Sequence, residues 1–227
     1  MKKLTHFLLL AIVIAAFTSC KKQTVASEPA YSYVMAVNAA ASTSGNNMNV
    51  AVGTQNLNDI PFGSTSTYTQ VRSGDNAVVV AAGSNSASSL MNFEKDKSYS
   101  IFTIDDGSAL KTVAVEDVLP GNTAGISNIR FFQFSSDAPA MDIVIGGNTI
   151  FANRSYNDQA ADTSLAGFTT IISGTYDIEV RDPVTSNVLY TFYGVTIEDG
   201  KTINMIAKGS INGINDQGFG ITMIATN

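Results

Sequence analysis

Along most of the chain, apolar and polar residues alternate one by one, the period of a strand with one face in a core. Tyr31-Ser-Tyr-Val-Met-Ala-Val37 opens the pattern, and Met48-Asn-Val-Ala-Val52 repeats it before Gly53. Between them Asn38 to Asn47 reads as a small-residue loop. Thr65 to Arg72 is rich in Thr, Tyr and Val, which suit a pleated surface. Ser73-Gly-Asp-Asn76 reads as a turn, and Ala77 to Ala82 as a buried strand. Ser98 to Ile104, bounded by Asp105-Asp-Gly107, and Leu110 to Val115 complete a first set. No stretch after the N-terminal segment sustains apolar spacing of three and four, so no long helix is expected.

Leu119-Pro-Gly-Asn-Thr-Ala-Gly125 then interrupts the pattern as a linker, with a hinge expected at Pro120 to Gly125. Beyond it the order restarts. Ile129 to Phe134 answers Tyr33 to Val37, and Met141-Asp-Ile-Val-Ile-Gly146 answers Met48 to Gly53. Thr170 to Gly174 with Tyr176 to Val180 answers Val71 to Gly74 with Ala77 to Val80. Lys201 to Ile206 answers Lys97 to Phe102. The offset grows from 93 at Met48/Met141 to 104 at Lys97/Lys201, which places the extra residues in loops. Four matches in one order indicate an internal repeat.

Short strands with turns at this spacing imply an all-β fold: two tandem immunoglobulin-like or transthyretin-like antiparallel β-sandwich domains. The boundaries read as 31–119 for the first repeat and 126–227 for the second. In Met141-Asp-Ile-Val-Ile145, Met141, Ile143 and Ile145 are expected inward, with Asp142 and Val144 outward. Ile129 to Phe134, Ser135-Ser-Asp-Ala-Pro-Ala-Met-Asp-Ile143 and Ser173-Gly-Thr-Tyr-Asp-Ile-Glu-Val180 together resemble the DUF4397 domain. The resemblance covers Ser127 to Lys208 well. It is weak in the first repeat, where Ala39 to Asn47 lacks the Asp-Ala-Pro turn. It implies an exported bacterial β-sandwich module without assigned catalytic residues.

The N-terminus supplies an address. Lys2 and Lys3 precede an apolar run from Phe7 to Phe17, too short for a membrane span, which needs about 20 residues, but suited to a signal peptide. Phe17-Thr-Ser-Cys20 resembles the lipobox of bacterial lipoproteins. That implies a signal peptide over 1–19, a lipid-modified Cys20 carrying acyl chains such as palmitate, and a polar tether over 20–30. The expected location is the cell envelope, at the outer membrane facing periplasm or surface.

Processing changes the chemistry. The net charge of -6 becomes -8 with the loss of Lys2 and Lys3, and His6, the single histidine, leaves too. Lipidation consumes the single cysteine, and tryptophan is absent. An acidic chain without a basic cluster argues against nucleic acid. Without histidine a Ser-His-Asp site or a His-built zinc site is excluded. A Ser-Lys or two-carboxylate hydrolase remains open by composition. Arg130, Glu179 and Arg181 alternate with apolar neighbours and are expected to face solvent.

Asp137-Ala-Pro139 reads first as a turn cap. Asp105-Asp-Gly107 and Asn212-Gly-Ile-Asn-Asp216 offer oxygens for Ca²⁺, although neither has calcium-loop spacing. Gly146-Gly147 reads as a hairpin turn. Tyr31, Tyr33, Tyr68, Tyr156, Tyr190 and Tyr193 are candidates for stacking on sugars. The balance favours a non-enzymatic, membrane-anchored structural or recognition module with no cofactor. Its partner would be an envelope protein or glycan. A pilus or adhesin subunit is the alternative, and a carboxylate- or Ser-Lys-based hydrolase a third. Recognition is expected in the loops Ala39 to Asn47 and Ser135 to Ala140.

Overall fold

The computed structural model describes residues 28–226, so the predicted signal segment, Cys20 and residues 21–27 lie outside the described residues. Sixteen strands form among the described residues. In the first half they are β1 (Tyr31–Asn38), β2 (Met48–Val52), β3 (Gln55–Ile60), β4 (Thr69–Arg72), β5 (Gly74–Ala82), β6 (Asn85–Phe93), β7 (Ser98–Asp106) and β8 (Ala109–Glu116). In the second they are β9 (Ile126–Gln133), β10 (Met141–Ile145), β11 (Asn148–Arg154), β12 (Thr169–Ile172), β13 (Gly174–Arg181), β14 (Val188–Ile197), β15 (Thr202–Lys208) and β16 (Gly220–Ala225).

The strands form four sheets of four, arranged as two sandwiches. The first sandwich pairs an inner sheet, β4-β1-β7-β8, with an outer sheet, β3-β2-β5-β6. The second repeats the topology, with inner sheet β12-β9-β15-β16 and outer sheet β11-β10-β13-β14. Pairing is antiparallel except at β1–β7 and β9–β15, where the central strands of each inner sheet run parallel. Each sandwich closes on its own apolar core. Val34, Met48, Val50, Val78, Val80, Phe93 and Ile101 fill the first, and Ile129, Phe131, Met141, Ile143, Ile178, Val180 and Met205 fill the second.

The repeat extends to hydrogen bonds. Ser32 Oγ lies 2.7 Å from Ser73 Oγ and donates to the carbonyl of Glu94; Ser127 does the same with Ser173 and Glu198. Asn49 accepts from the amide of Asp59 and Asp142 from that of Asn153, and both amide donors have positive φ, at 58° and 49°. The predicted Gly146-Gly147 turn links β10 to β11, with φ of 56° and 82°. Positive φ at both positions fits a tight hairpin, which glycine adopts without a Cβ clash.

Several local expectations change. Strands β3, β6, β11, β14 and β16 add to the expected set: β3 and β6 are made largely of polar or small residues and become strands by pairing with a neighbour, whereas β14 and β16 are themselves rich in apolar, β-branched or aromatic residues. Ser73 to Asn76 is no turn. The chain passes there from the inner to the outer sheet at Gly74, with φ of 97°. The segment Ala77 to Ala82 is buried on one face only: Val78, Val80 and Ala82 are in the core, while Ala77, Val79 and Ala81 are exposed. On β10, Met141, Ile143 and Ile145 face the core as expected, yet Val144 is also buried, at 2% exposure.

The expected hinge between halves is replaced by a packed interface. The inner sheets of the two sandwiches meet through Met35, Val37, Phe102 and Ile104 on one side and Phe132, Phe134, Ile206 and Ile224 on the other. Phe102 packs on Phe132 and Phe134 at ring separations of 4.8 and 5.1 Å. The reason lies in the central strands, which carry apolar side chains on both faces and so need a second layer on each.

Candidate functional site

Arg130 sits on β9 between Ile129 and Phe131, which point into the second core, so its own side chain points at the first sandwich. It is 1% exposed, the reverse of the solvent-facing position expected for it. Its Nε donates to Asn204 Oδ1 at 2.6 Å, Nη1 to the carbonyl of Glu116 at 3.2 Å, and Nη2 to the carboxylate of Asp117. Asp117 also accepts from Tyr68 OH at 2.6 Å and from Ser100 Oγ at 3.0 Å. The guanidinium carbon lies 4.5 Å from the ring centre of Phe168 and 5.0 Å from that of Phe132. A buried cation is costly unless paired and hydrogen-bonded, and this shell supplies both. Burial pulls the Arg130 pKa down, and the Asp117 carboxylate opposes that. Burial first, then Asp117, raises the Tyr68 phenol well above its ordinary value.

Beside this ion pair a cleft of about 750 Å³ opens between the sandwiches. One wall is the outer side of β8, with Val113 and Val115, continued by Val118 and Pro120 of the linker. The other is the segment 159–168 of the second sandwich, with Gln159, Thr163, Ala166 and Phe168, and Arg130 also lines it. That segment is held from below. Arg154, 3% exposed, forks onto Asp158 through Nε and Nη2, each at 2.8 Å. Asp162 caps the next short turn, accepting from the Ser164 amide and hydroxyl, whose bonds hold its carboxylate below the usual range. Buried Gln159 donates to Asn157 Oδ1 at 2.7 Å while its Oε1 has no partner. The other ionisable group on the cleft, Glu116, pairs with Lys97 at 3.0 Å.

The residues singled out in the sequence fall elsewhere. In loop Ala39 to Asn47 the first part is packed, with Ala39, Ala40, Ala41 and Thr43 buried and Asn38 tying it down through Ile60 and Thr43, while Ser42 and Gly45 to Asn47 are exposed. Ser135 to Ala140 is also used structurally. Asp137 accepts from Ser210 Oγ at 2.6 Å, the Ile211 amide at 3.0 Å and Asn212 Nδ2 at 3.3 Å. Burial pushes its pKa up, but these bonds outweigh it and leave the carboxylate below its ordinary value. It therefore clamps the 210–212 loop as well as its own turn.

Of the calcium candidates, Asp105 accepts from the amide and hydroxyl of Ser42 and Asp106 pairs with Lys111 at 3.4 Å. Among the described residues no group of three or more acidic, His or Cys side chains is placed to hold a metal ion. Glu179 and Arg181 pair with each other, half-buried. Of the tyrosines, Tyr68 and Tyr156 border the interface, and Tyr156 OH donates to the carbonyl of Asp105 across it. Tyr190 packs on Phe219 at a ring separation of 4.4 Å with the planes tilted, whereas Tyr33 and Tyr193 are exposed, at 43% and 79%.

Reading one strand face as outward hid the cleft. The signal was present in Ile129-Arg-Phe-Phe-Gln-Phe134: Phe132 and Phe134 share the parity of Arg130, so its face is apolar as well.

Residues 32–144 match the family model described as Domain of unknown function (DUF4397), and the chain contains that domain. The match spans the first sandwich and reaches β10, whereas the resemblance was expected mainly over Ser127 to Lys208. No curated protein matches the sequence. Among solved structures the chain is similar to CBMbc (family CBM26) from Eubacterium rectale Amy13K in complex with maltoheptaose. The identity is 8% and the TM-score 0.24, over 87% of this chain and 97% of that one. It is also similar to a candidate adhesin from Bacteroides ovatus at 10% identity and TM-score 0.19, over 86% and 92% of the two chains. Scores this low carry no argument about function.

Proposed function

We propose that this chain is a non-enzymatic, lipid-anchored module of the bacterial cell envelope that works by recognition, with the cleft between its two sandwiches as the ligand site. One observation carries the reading. The cleft has the volume of a small-molecule site, typically about 300–1,000 Å³, is walled mainly by apolar groups, and its ionisable side chains are already committed to ion pairs. Proton transfer needs a group free to exchange its proton near neutral pH. Arg130 and Glu116 instead serve to hold the walls. The ligand that fits is a small molecule or peptide segment with an apolar body. The anchor rests on Phe17-Thr-Ser-Cys20 after the apolar run.

The test is ligand-observed NMR with a pool of envelope-derived peptides and oligosaccharides, on the wild type and on Ala166→Trp, which fills the cleft. Saturable binding lost in Ala166→Trp is expected. Binding that survives the substitution, or turnover of any compound in the pool, overturns the reading. For the anchor, mass spectrometry of the membrane-extracted N-terminal peptide should show acylated Cys20. An unmodified cysteine, or a mature N-terminus elsewhere, overturns that part alone.

A further inference from the structure

Consecutive residues from Val113 to Glu116 line the cleft, so its first wall is the edge of strand β8 as well as a side-chain surface. β8 pairs with β7 alone, antiparallel, and no strand lies beyond it in its sheet. The Asp117 amide donates to the Ser98 carbonyl at 2.8 Å. Hydrogen-bonding direction alternates along an antiparallel strand. Val115 and Val113 therefore also turn their amides and carbonyls to β7, while Glu116, Ala114 and Thr112 turn theirs outward. Arg130 shows that outward means into the cleft, because it lines the cleft and its Nη1 reaches the Glu116 carbonyl at 3.2 Å. β6 approaches β8 from the other sheet, with Ser89 Oγ 2.8 Å from Thr112 Oγ1, and leaves Ala114 exposed. The amide and carbonyl of Ala114 have no partner among the described residues.

The opposite wall supplies an independent observation. Gln159 is 3% exposed and lines the cleft, and its Oε1 has no partner. A buried acceptor left unsatisfied is costly, and a donor brought by a ligand removes the cost. This wall is particular to the second repeat, where residues 155–168 separate β11 from β12; only 61–68 separate β3 from β4. In the first repeat the shorter segment closes on the second sandwich, with Lys208 Nζ 4.1 Å from the ring centre of Phe62.

We propose that the ligand of the cleft is an extended peptide segment that adds to β8 as a fifth strand of the inner sheet. The inference rests on the cleft being the ligand site and names what that site takes. An extended backbone presents a carbonyl and an amide at the strand repeat, which matches the outward groups of Ala114 and the outward amide of Glu116. Side chains of such a segment alternate. Those on the cleft side meet Val118, Ala166 and Phe168 and are apolar, apart from one donor to Gln159 Oε1; those on the other side are polar. The charges at the cleft are already paired, so a charged side chain inside it finds no partner. The net charge of -8 from residue 20 onward favours basic residues at the ends of the segment. An oligosaccharide would set hydroxyls against Val113, Val115 and Val118, whose side chains cannot bond them.

The test presents a synthetic library of linear peptides of about ten residues to the full-length chain and to Ala166→Trp. Peptides retained by the wild type and lost when the cleft is filled should alternate apolar and polar residues. The tightest is then remade with single N-methyl groups along its backbone. Methylation should weaken binding about ten-fold at alternate amides and about two-fold or less at those between, because amides of one parity face β8. Ala114→Pro removes an outward amide at an edge position, where proline is tolerated, and should weaken binding about ten-fold with an unchanged melting temperature. Gln159→Met keeps the side-chain length without the acceptor and should weaken it about five-fold. Retention of no peptide, N-methyl effects without alternation, or full binding by Ala114→Pro each overturn the inference. If an oligosaccharide alone binds and is lost in Ala166→Trp, strand addition fails and the cleft remains the ligand site. If no peptide or oligosaccharide depends on Ala166, both readings fail. The N-methyl series decides the matter whether or not Ala114→Pro folds.

Discussion

The guanidinium of Arg130, on the second sandwich, lies against the carboxylate of Asp117, on the segment leaving the first, with side-chain exposures of 1% and 0%. The pair ties the start of the linker to the strand that follows it, so the linker does not act as a hinge. In the first sandwich Met35 takes the place that Arg130 holds in the second, and the ion pair exists on one side of the pseudo-symmetric interface only. Removing one partner of a buried pair leaves the other uncompensated. Asp117→Asn should therefore lower stability by about 3–5 kcal/mol in urea unfolding. Arg130→Met added to Asp117→Asn should cost less than the two single changes summed. Additive losses would mean that the charges do not interact.

The same interface makes stability sensitive to alkali. Tyr68 donates to Asp117 and Tyr156 to the carbonyl of Asp105. Burial, with nearby carboxylates, raises both phenols above their ordinary value of 10, Tyr156 to about 12. Above pH 10 the unfolded chain loses protons that the folded chain keeps. Their contribution is therefore complete below pH 10 and is lost as pH rises through the folded values. The urea midpoint, followed from pH 8 to 11, should fall above pH 10, and the fall should be shallower in Tyr68→Phe. An equal slope in both proteins would exclude Tyr68 as a cause.

Burial on both sides of β10 changes the expected mutational pattern there. Ile143, fully buried in the core, should lose about 2–5 kcal/mol on truncation to Ala. Val144, at 2% exposure on the other face, should also destabilise the protein, by an amount limited by its smaller volume. Thermal unfolding of both variants is the check. A neutral Val144→Ala would mean that its cover is loose in solution.

Cleavage within Pro120 to Gly125 should leave two fragments that stay together. Leu119 is 40% exposed and the region is open to protease, but the apolar interface and the Arg130–Asp117 pair remain after the cut. Size-exclusion chromatography of the nicked protein should give one peak containing both fragments, separating only in denaturant. Two peaks under native conditions would show that the interface does not hold without the covalent link.

Alternation along Met48 to Val52 and Met141 to Ile145, with the apolar run Ala77 to Val80, repeated in order across the linker, determined the all-β class and the use of one module twice. These are local properties: a strand's period is written in neighbouring residues, and Gly146-Gly147 carries its turn in its own backbone freedom. The tertiary structure decided which faces meet. Period two says that residues 130, 132 and 134 share a face, but not whether solvent or another sheet covers it. That depends on the inner sheets of both halves being brought together, through contacts such as Phe102 with Phe132, whose partners lie far apart in the chain. The strands β3 and β6 and the cleft were hidden for the same reason. A polar strand is defined by the neighbour it pairs with, and a cleft by two surfaces that only the packed interface places opposite each other.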